Sequence, residues 1–146
     1  MTHISGQIRI ARAVEDVFDF IADSRNEPRY NSDMRSVTLL TEEPSGPGTR
    51  FRATMGRSGT ALLVTLTRFE RPRLLGSTTT STLMDTAGTL RFTADGEAAT
   101  ILAWDWQVQP KGWLRLLGPQ FGPIGHRMER RIWTAARDRL EGATRV

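Results

Sequence analysis

Ile8-Arg-Ile-Ala-Arg-Ala-Val-Glu-Asp-Val-Phe-Asp-Phe-Ile-Ala-Asp23 is the stretch on which the fold turns, because the hydrophobic period changes inside it. Ile4, Ile8 and Ile10 alternate with Gln7 and Arg9, the period of two that marks a half-buried strand. From Val14 the period lengthens. Val14, Val17, Phe18 and Ile21 recur as on one helix face, and Glu15 and Asp16 fall in the first turn, where the helix dipole favours acids. Ala13 is a poor cap, so packing has to fix this helix start. Asn26, Pro28 and Asn31 then break the pattern, and a short second helix or turn is expected around Asn26–Tyr30.

Beyond this opening the chain reads as strands. Arg35–Glu42 ends at the turn cluster Pro44-Ser-Gly-Pro-Gly48. Phe51, Ala53 and Met55 alternate with Arg50, Arg52 and Thr54, and the loop Gly56–Gly59 leads into Ala61–Phe69, whose middle is too uniformly apolar to show which face points inward. Leu74–Leu83 is threonine-rich and suits a strand. Thr89–Asp95 alternates, Asp95-Gly96 is a strong turn signal, and Thr100–Gln109 puts Leu102, Trp104, Trp106 and Val108 on one face. The last third is helical. Leu114, Leu117, Phe121, Ile124, Met128, Ile132, Ala135 and Leu140 form a stripe, with a kink or loop expected at Pro119–Gly125, a regular helix from His126 to Glu141, and Gly142 as a stop.

Consecutive strands joined by short turns are mostly antiparallel, and one sheet face needs a cover. The C-terminal stripe is the longest apolar surface able to provide it. The expected fold is therefore α+β: a curved antiparallel sheet around a long C-terminal helix, with an apolar pocket left between them. At 146 residues, a single domain over 1–146 is expected.

Composition narrows the function. With 38% hydrophobic and 25% charged residues the chain reads as globular, and no apolar run is long enough to span a bilayer. The opening residues lack the basic and apolar regions of a signal peptide, so the cytoplasm is the expected location. The absence of cysteine removes disulfide and thiolate chemistry. Net charge is +4, and nearly all the positive charge is arginine, Lys111 being the only lysine. Arg127, Arg130, Arg131, Arg137 and Arg139 cluster, but Glu129, Asp138 and Glu141 sit among them, so the reading is a solvated helix face and nucleic acid is not the expected partner.

Several motifs carry a family resemblance. They are the opening stretch with Asn26-x-Pro28-x-Tyr30, the Gly46-Pro-Gly-Thr49 turn, the Phe69-Glu-Arg-Pro-Arg73 hairpin end, and the helix from Met128-Glu-Arg-Arg-Ile-Trp133 to Leu140-Glu141. Together they resemble the START-like, or SRPBCC, superfamily, and within it the polyketide cyclase/dehydrase-like branch, which is similar to coenzyme-Q-binding and lipid-transfer relatives. The resemblance spans the chain and speaks to fold more than to activity, since one fold hosts many functions. It implies a helix-grip fold of seven antiparallel strands curved around a long C-terminal helix, with two short helices after the first strand and a hydrophobic cavity. Relatives often have Trp where this chain has Tyr30, which puts a phenol near the pocket edge.

The expected cavity lining is Tyr30, Phe51, Met55, Phe92, Trp104, Trp106, Phe121 and Met128. Ordinary core packing is the plainer account of the two tryptophans. A flat apolar wall for a lipid, prenyl or aromatic polyketide-like molecule is the functional one. Strand alternation puts Asp105 outside; in the opposite phase it becomes a buried general-base candidate, and Arg68 carries the same ambiguity. His126 falls about 200° from Met128 around the helix, so it faces solvent. No HExxH motif, paired-histidine or clustered-carboxylate pattern suggests a metal, no Gly-x-Ser-x-Gly elbow occurs, and no cofactor is expected. Three functions remain: binding of an apolar small molecule, an aromatase/cyclase-like reaction on a carbonyl compound with Tyr30 or a water as proton relay, and a regulatory or interaction module using the arginine-rich helix. Monomer and homodimer both stay open.

Overall fold

A computed structural model describes residues 2–142; Met1 and residues 143–146, the ends of the expected domain, lie outside the described residues. In chain order the elements are β1 (Thr2–Ile10), α1 (Val14–Ala22), a 3-10 helix (Ser24–Arg29), β2 (Met34–Leu39), β3 (Arg50–Met55), β4 (Ala61–Glu70), β5 (Leu74–Thr80), β6 (Met84–Ala94), β7 (Thr100–Pro110), a second 3-10 segment (Gly112–Gln120) and α2 (Phe121–Gly142). The strands form one seven-stranded sheet in the order β1-β7-β6-β5-β4-β3-β2, antiparallel at every junction. The helix-grip architecture is the one expected from the order of periods.

Side-chain alternation explains which face is covered. Ile4, Ile8 and Ile10 of β1 and Leu102, Trp104, Trp106 and Val108 of β7 are all buried. Gly6 shares the inward phase of β1 and stands opposite Trp104; a Cβ there would lie 2.5 Å from the indole Cζ2, so glycine makes room for the ring. In β4 a register shift between Leu66 and Arg68 resolves the uniform apolar run. Leu62, Val64 and Leu66 face the cavity, and beyond the shift it is Phe69 that joins the core. β6 starts at Met84 rather than at Thr89. Gly88 hides its early half in the sequence, and there a Cβ would run into the backbone oxygen of Asp105.

The helices are fixed by packing and by their ends. α1 has no capping side chain, as expected from Ala13, and buries Val17, Phe18, Ile21 and Ala22. Phe18 meets Phe69 and Phe92 edge to face, with centroids 5.2 and 5.0 Å apart. The break before α2 falls at Gly118 (φ 53°, ψ −132°). Pro123 and Gly125 instead lie in the early part of α2, where a missing N–H costs little because first-turn donors lack intrahelical partners. The far end of α2 is tied down. Arg12 Nη1 donates to the Leu140 carbonyl at 2.8 Å, and the Ala11 N–H donates to Glu141 Oε2 at 2.9 Å.

Candidate functional site

A cavity of about 220 Å³ lies between the inner face of β3–β7, the 3-10 helix Ser24–Arg29 and α2. Its walls are mostly apolar: Leu62, Val64, Leu66, Leu75 and Leu90 from the sheet, Met34, Met55, Met84 and Met128 around them, and Ile132 from α2. The volume is below the roughly 300–1,000 Å³ of drug-sized sites and above the about 150 Å³ that holds a benzene ring.

One wall is polar. The 3-10 helix, capped by Asp23 accepting from the Arg25 N–H at 3.0 Å, turns Glu27 and Tyr30 inward. Glu27 Oε2 accepts from Asn31 Nδ2 at 3.1 Å. Opposite, on α2, Glu129 Oε2 accepts from Trp133 Nε1 one turn later at 2.7 Å. Burial pushes both carboxyls up, Glu129 to about 7, because the charged form loses water there. The Trp133 hydrogen bond pulls Glu129 back down in part, the Glu27 charge pushes it up again, and the Trp106 N–H nearby favours the charged form without meeting hydrogen-bond geometry. Glu27 and Glu129 are both partly exposed and line the cavity. Burial, then the charges of Glu27 and Glu129, holds the Tyr30 phenol well above its ordinary range, so it stays protonated. Tyr30 leans on Trp133 with centroids 6.0 Å apart.

Of the eight residues expected to line the cavity, Tyr30, Met55, Trp106 and Met128 do so, Met128 at the rim with 37% exposure. Phe51, Phe92, Trp104 and Phe121 are buried in the core cluster, away from the cavity wall. Phe92 packs on α1, and Trp104 stacks on Trp133 at 6.2 Å over Gly6. Phe51, Phe92 and Trp104 point inward as the alternation requires, and Phe121 is buried at the start of α2. The inward face is divided between core and cavity, however, and phase alone does not say where along a strand that division falls. Asp105 is exposed and bonded to His3 Nε2 at 2.7 Å; Arg68 is exposed and pairs with Glu70 at 2.7 Å; neither reaches the cavity.

Glu27, Glu129 and Trp133 are the functional candidates that the sequence reading missed. For Glu129 a signal existed. Phe121, Trp133, Ala136 and Leu140 are the buried residues of α2, and Glu129 stands one turn before Trp133 on that face. A stripe drawn through Met128 and Ala135 is rotated away from it. For Glu27, in a six-residue 3-10 helix, no periodic signal exists. Among the described residues no cluster of His, Cys, Asp and Glu is arranged to hold a metal ion. On the outer face of α2, Arg130 lies over the Trp104 ring at 5.5 Å, Arg131 pairs with Asp33 at 3.4 Å and Arg137 pairs with Asp138 at 3.1 Å. The arginine cluster is thus engaged in part with its own surface.

A curved sheet gripping a long helix around a lined cavity defines a helix-grip architecture. The family described as polyketide cyclase / dehydrase and lipid transport matches residues 1–142, and the chain belongs to it. Similar solved structures include a protein from Thermus thermophilus (16% identity, TM-score 0.80, covering 97% of this chain and 99% of that one) and a START superfamily protein from Mycobacterium smegmatis (15%, 0.79, 99% and 100%). A Streptomyces aromatase/cyclase is similar too (15%, 0.74, 95% and 93%). At such identities the likeness carries the fold. No curated protein matches.

Proposed function

We propose that the chain, acting as one domain over 1–146, binds a small, mostly apolar molecule in the cavity between sheet and α2, with Tyr30, Met55, Trp106 and Met128 among its contacts. The observation that carries this reading is the cavity itself, a space of about 220 Å³ left open under a sheet whose other inward residues are close-packed. Its size favours a ring-sized molecule or a short chain over a long lipid tail. The methionines suit an adaptable apolar wall. The proposed setting is the cytoplasm; among the described residues no helix is long and apolar enough to cross a membrane.

The test is a titration with small aromatic probes, read by tryptophan fluorescence and thermal unfolding. Trp106 and Trp133 line the site, so occupancy should change emission. Probe at a hundred times its Kd should add about 2.7 kcal/mol of stability. If a panel of ring-sized probes moves neither signal, the binding reading fails.

A second reading, a cyclase-type reaction on a carbonyl compound, is favoured by one observation. Glu129, held at about 7, can both take and give a proton near neutral pH, and the protonated Tyr30 beside it can donate. Turnover of a poly-β-ketone substrate that is unaffected in Tyr30→Phe would remove Tyr30 from that mechanism.

A further inference from the structure

We infer that the cavity selects a small organic amine, whose cationic head sits between Glu27 and Glu129 and whose apolar body lies on the methionine and leucine wall. This rests on the binding reading above and names the ligand class.

The first observation is uncompensated charge. Glu27 from the 3-10 helix and Glu129 from α2 face one cavity, and no Lys, Arg or His side chain lines it among the described residues. Each carboxylate uses one oxygen on a neutral donor, Asn31 or Trp133. The other oxygen of each has no hydrogen bond among the described residues. Two such groups sense each other's charge, and a buried carboxylate without a cation is costly to ionise. A ligand cation supplies the missing partner.

The second observation concerns the donor beside Glu129. Trp106 is 7% exposed and lines the cavity, yet its indole N–H has no hydrogen-bond partner. It lies beside Glu129 and favours that carboxylate's charged form, the form that an ammonium group needs. The third is aromatic. Tyr30, Trp106 and Trp133 line the same cavity as the two acids, and aromatic rings attract an ammonium or alkylammonium group once water is excluded. Acids and rings together form a cation site; the remaining wall is mostly apolar, with the Ser77, Thr79 and Thr86 hydroxyls among its methionines and leucines.

Protonation sets the pH dependence. The ionisable groups facing the cavity are Glu27 from the 3-10 helix, Tyr30 directly after it and Glu129 from α2; the strands contribute none among the described residues. Tyr30 stays protonated. An amine requires Glu129 ionised, so its affinity is full above about pH 7 and weakens by up to about tenfold per pH unit below it. A neutral carbonyl ligand, held by a protonated Glu129, shows the opposite trend.

The probes are phenethylamine, protonated throughout this range, its neutral counterpart 2-phenylethanol, and 3-phenylpropanoate, titrated by calorimetry and tryptophan fluorescence between about pH 6 and pH 8. The expected result at pH 8 is that the amine binds at least about tenfold more tightly than the alcohol, with the carboxylate weakest. Glu129→Gln should bring the amine close to the alcohol while the alcohol's affinity holds; Glu27→Gln should act in the same direction, and serves if the first variant does not fold. Equal or tighter binding of the alcohol at pH 8, amine affinity that rises as pH falls, or a preference that survives both variants overturns the inference and leaves the binding reading standing. If none of the three probes binds, the inference and the cavity reading fall together.

Discussion

Replacing Glu129 with glutamine should make the protein more stable at alkaline pH and leave it almost unchanged at acid pH. The glutamine carbonyl can still accept the Trp133 N–H, so the variant removes the ionisation and keeps the hydrogen bond. In the folded chain the Glu129 carboxyl titrates at about 7, against an ordinary value of 4.5. Between those two values the folded protein holds a proton that the unfolded chain has released. Stability therefore falls as pH rises through that window, is highest below it and is flat above it. Each pH unit corresponds to about 1.4 kcal/mol, so the full effect comes to about 3 kcal/mol. In a domain of this size that is a difference of about 10 °C in Tm. Glu27, also raised by burial, tilts the wild-type curve the same way. Asp19, Asp23 and Glu70 are held low beside arginines and act at more acid pH. Urea unfolding of both proteins between about pH 5 and pH 8 should give curves that meet at the acid end and diverge by up to about 3 kcal/mol at the alkaline end. Parallel curves would show that Glu129 is solvated and would refute the cavity electrostatics.

Other expectations follow from single contacts. Gly6→Ala puts a methyl group 2.5 Å from Trp104 Cζ2, so the indole must shift; the urea midpoint should fall by the equivalent of about 1–3 kcal/mol with a changed near-UV dichroism, and an unaltered midpoint would mean the strand can move away. Tyr30→Phe removes a buried hydroxyl that has no hydrogen bond among the described residues; stability should hold or rise by up to about 1 kcal/mol, and a marked loss would reveal a partner for that hydroxyl. Arg12→Ala removes the bond to the Leu140 carbonyl and the pair with Asp16; it should cost about 1–2 kcal/mol and speed amide exchange in the last turn of α2, whereas unchanged protection there would show that packing alone holds the helix end.

The change of period between Ile10 and Val14 was enough to separate β1 from α1, and the later alternations located the other strands, because burial on one face writes itself into the sequence. The polar wall was not legible in the same way. Glu129 looked like one more charge on a helix studded with arginines, and only the burial of Trp133 and Ala136 shows that the stripe passes over it. Glu27 is turned inward by a short 3-10 helix, an element too brief for any period. Phe51, Phe92, Trp104 and Phe121 had the right phase and the wrong place. Their destination depends on where α1 and α2 cross the sheet, and that is decided by long-range packing such as Phe18 against Phe92 and Trp104 against Gly6. A pocket read as apolar thus acquired two carboxylates.

The central claim is that the space between sheet and α2 is a binding site. Diffraction from a crystal grown with phenethylamine or 2-phenylethanol tests it most directly. The account predicts density for the probe inside the cavity bounded by Tyr30, Met55, Trp106 and Met128. A cavity that holds only water while the probe sits on the surface, or one closed by these side chains, would contradict it.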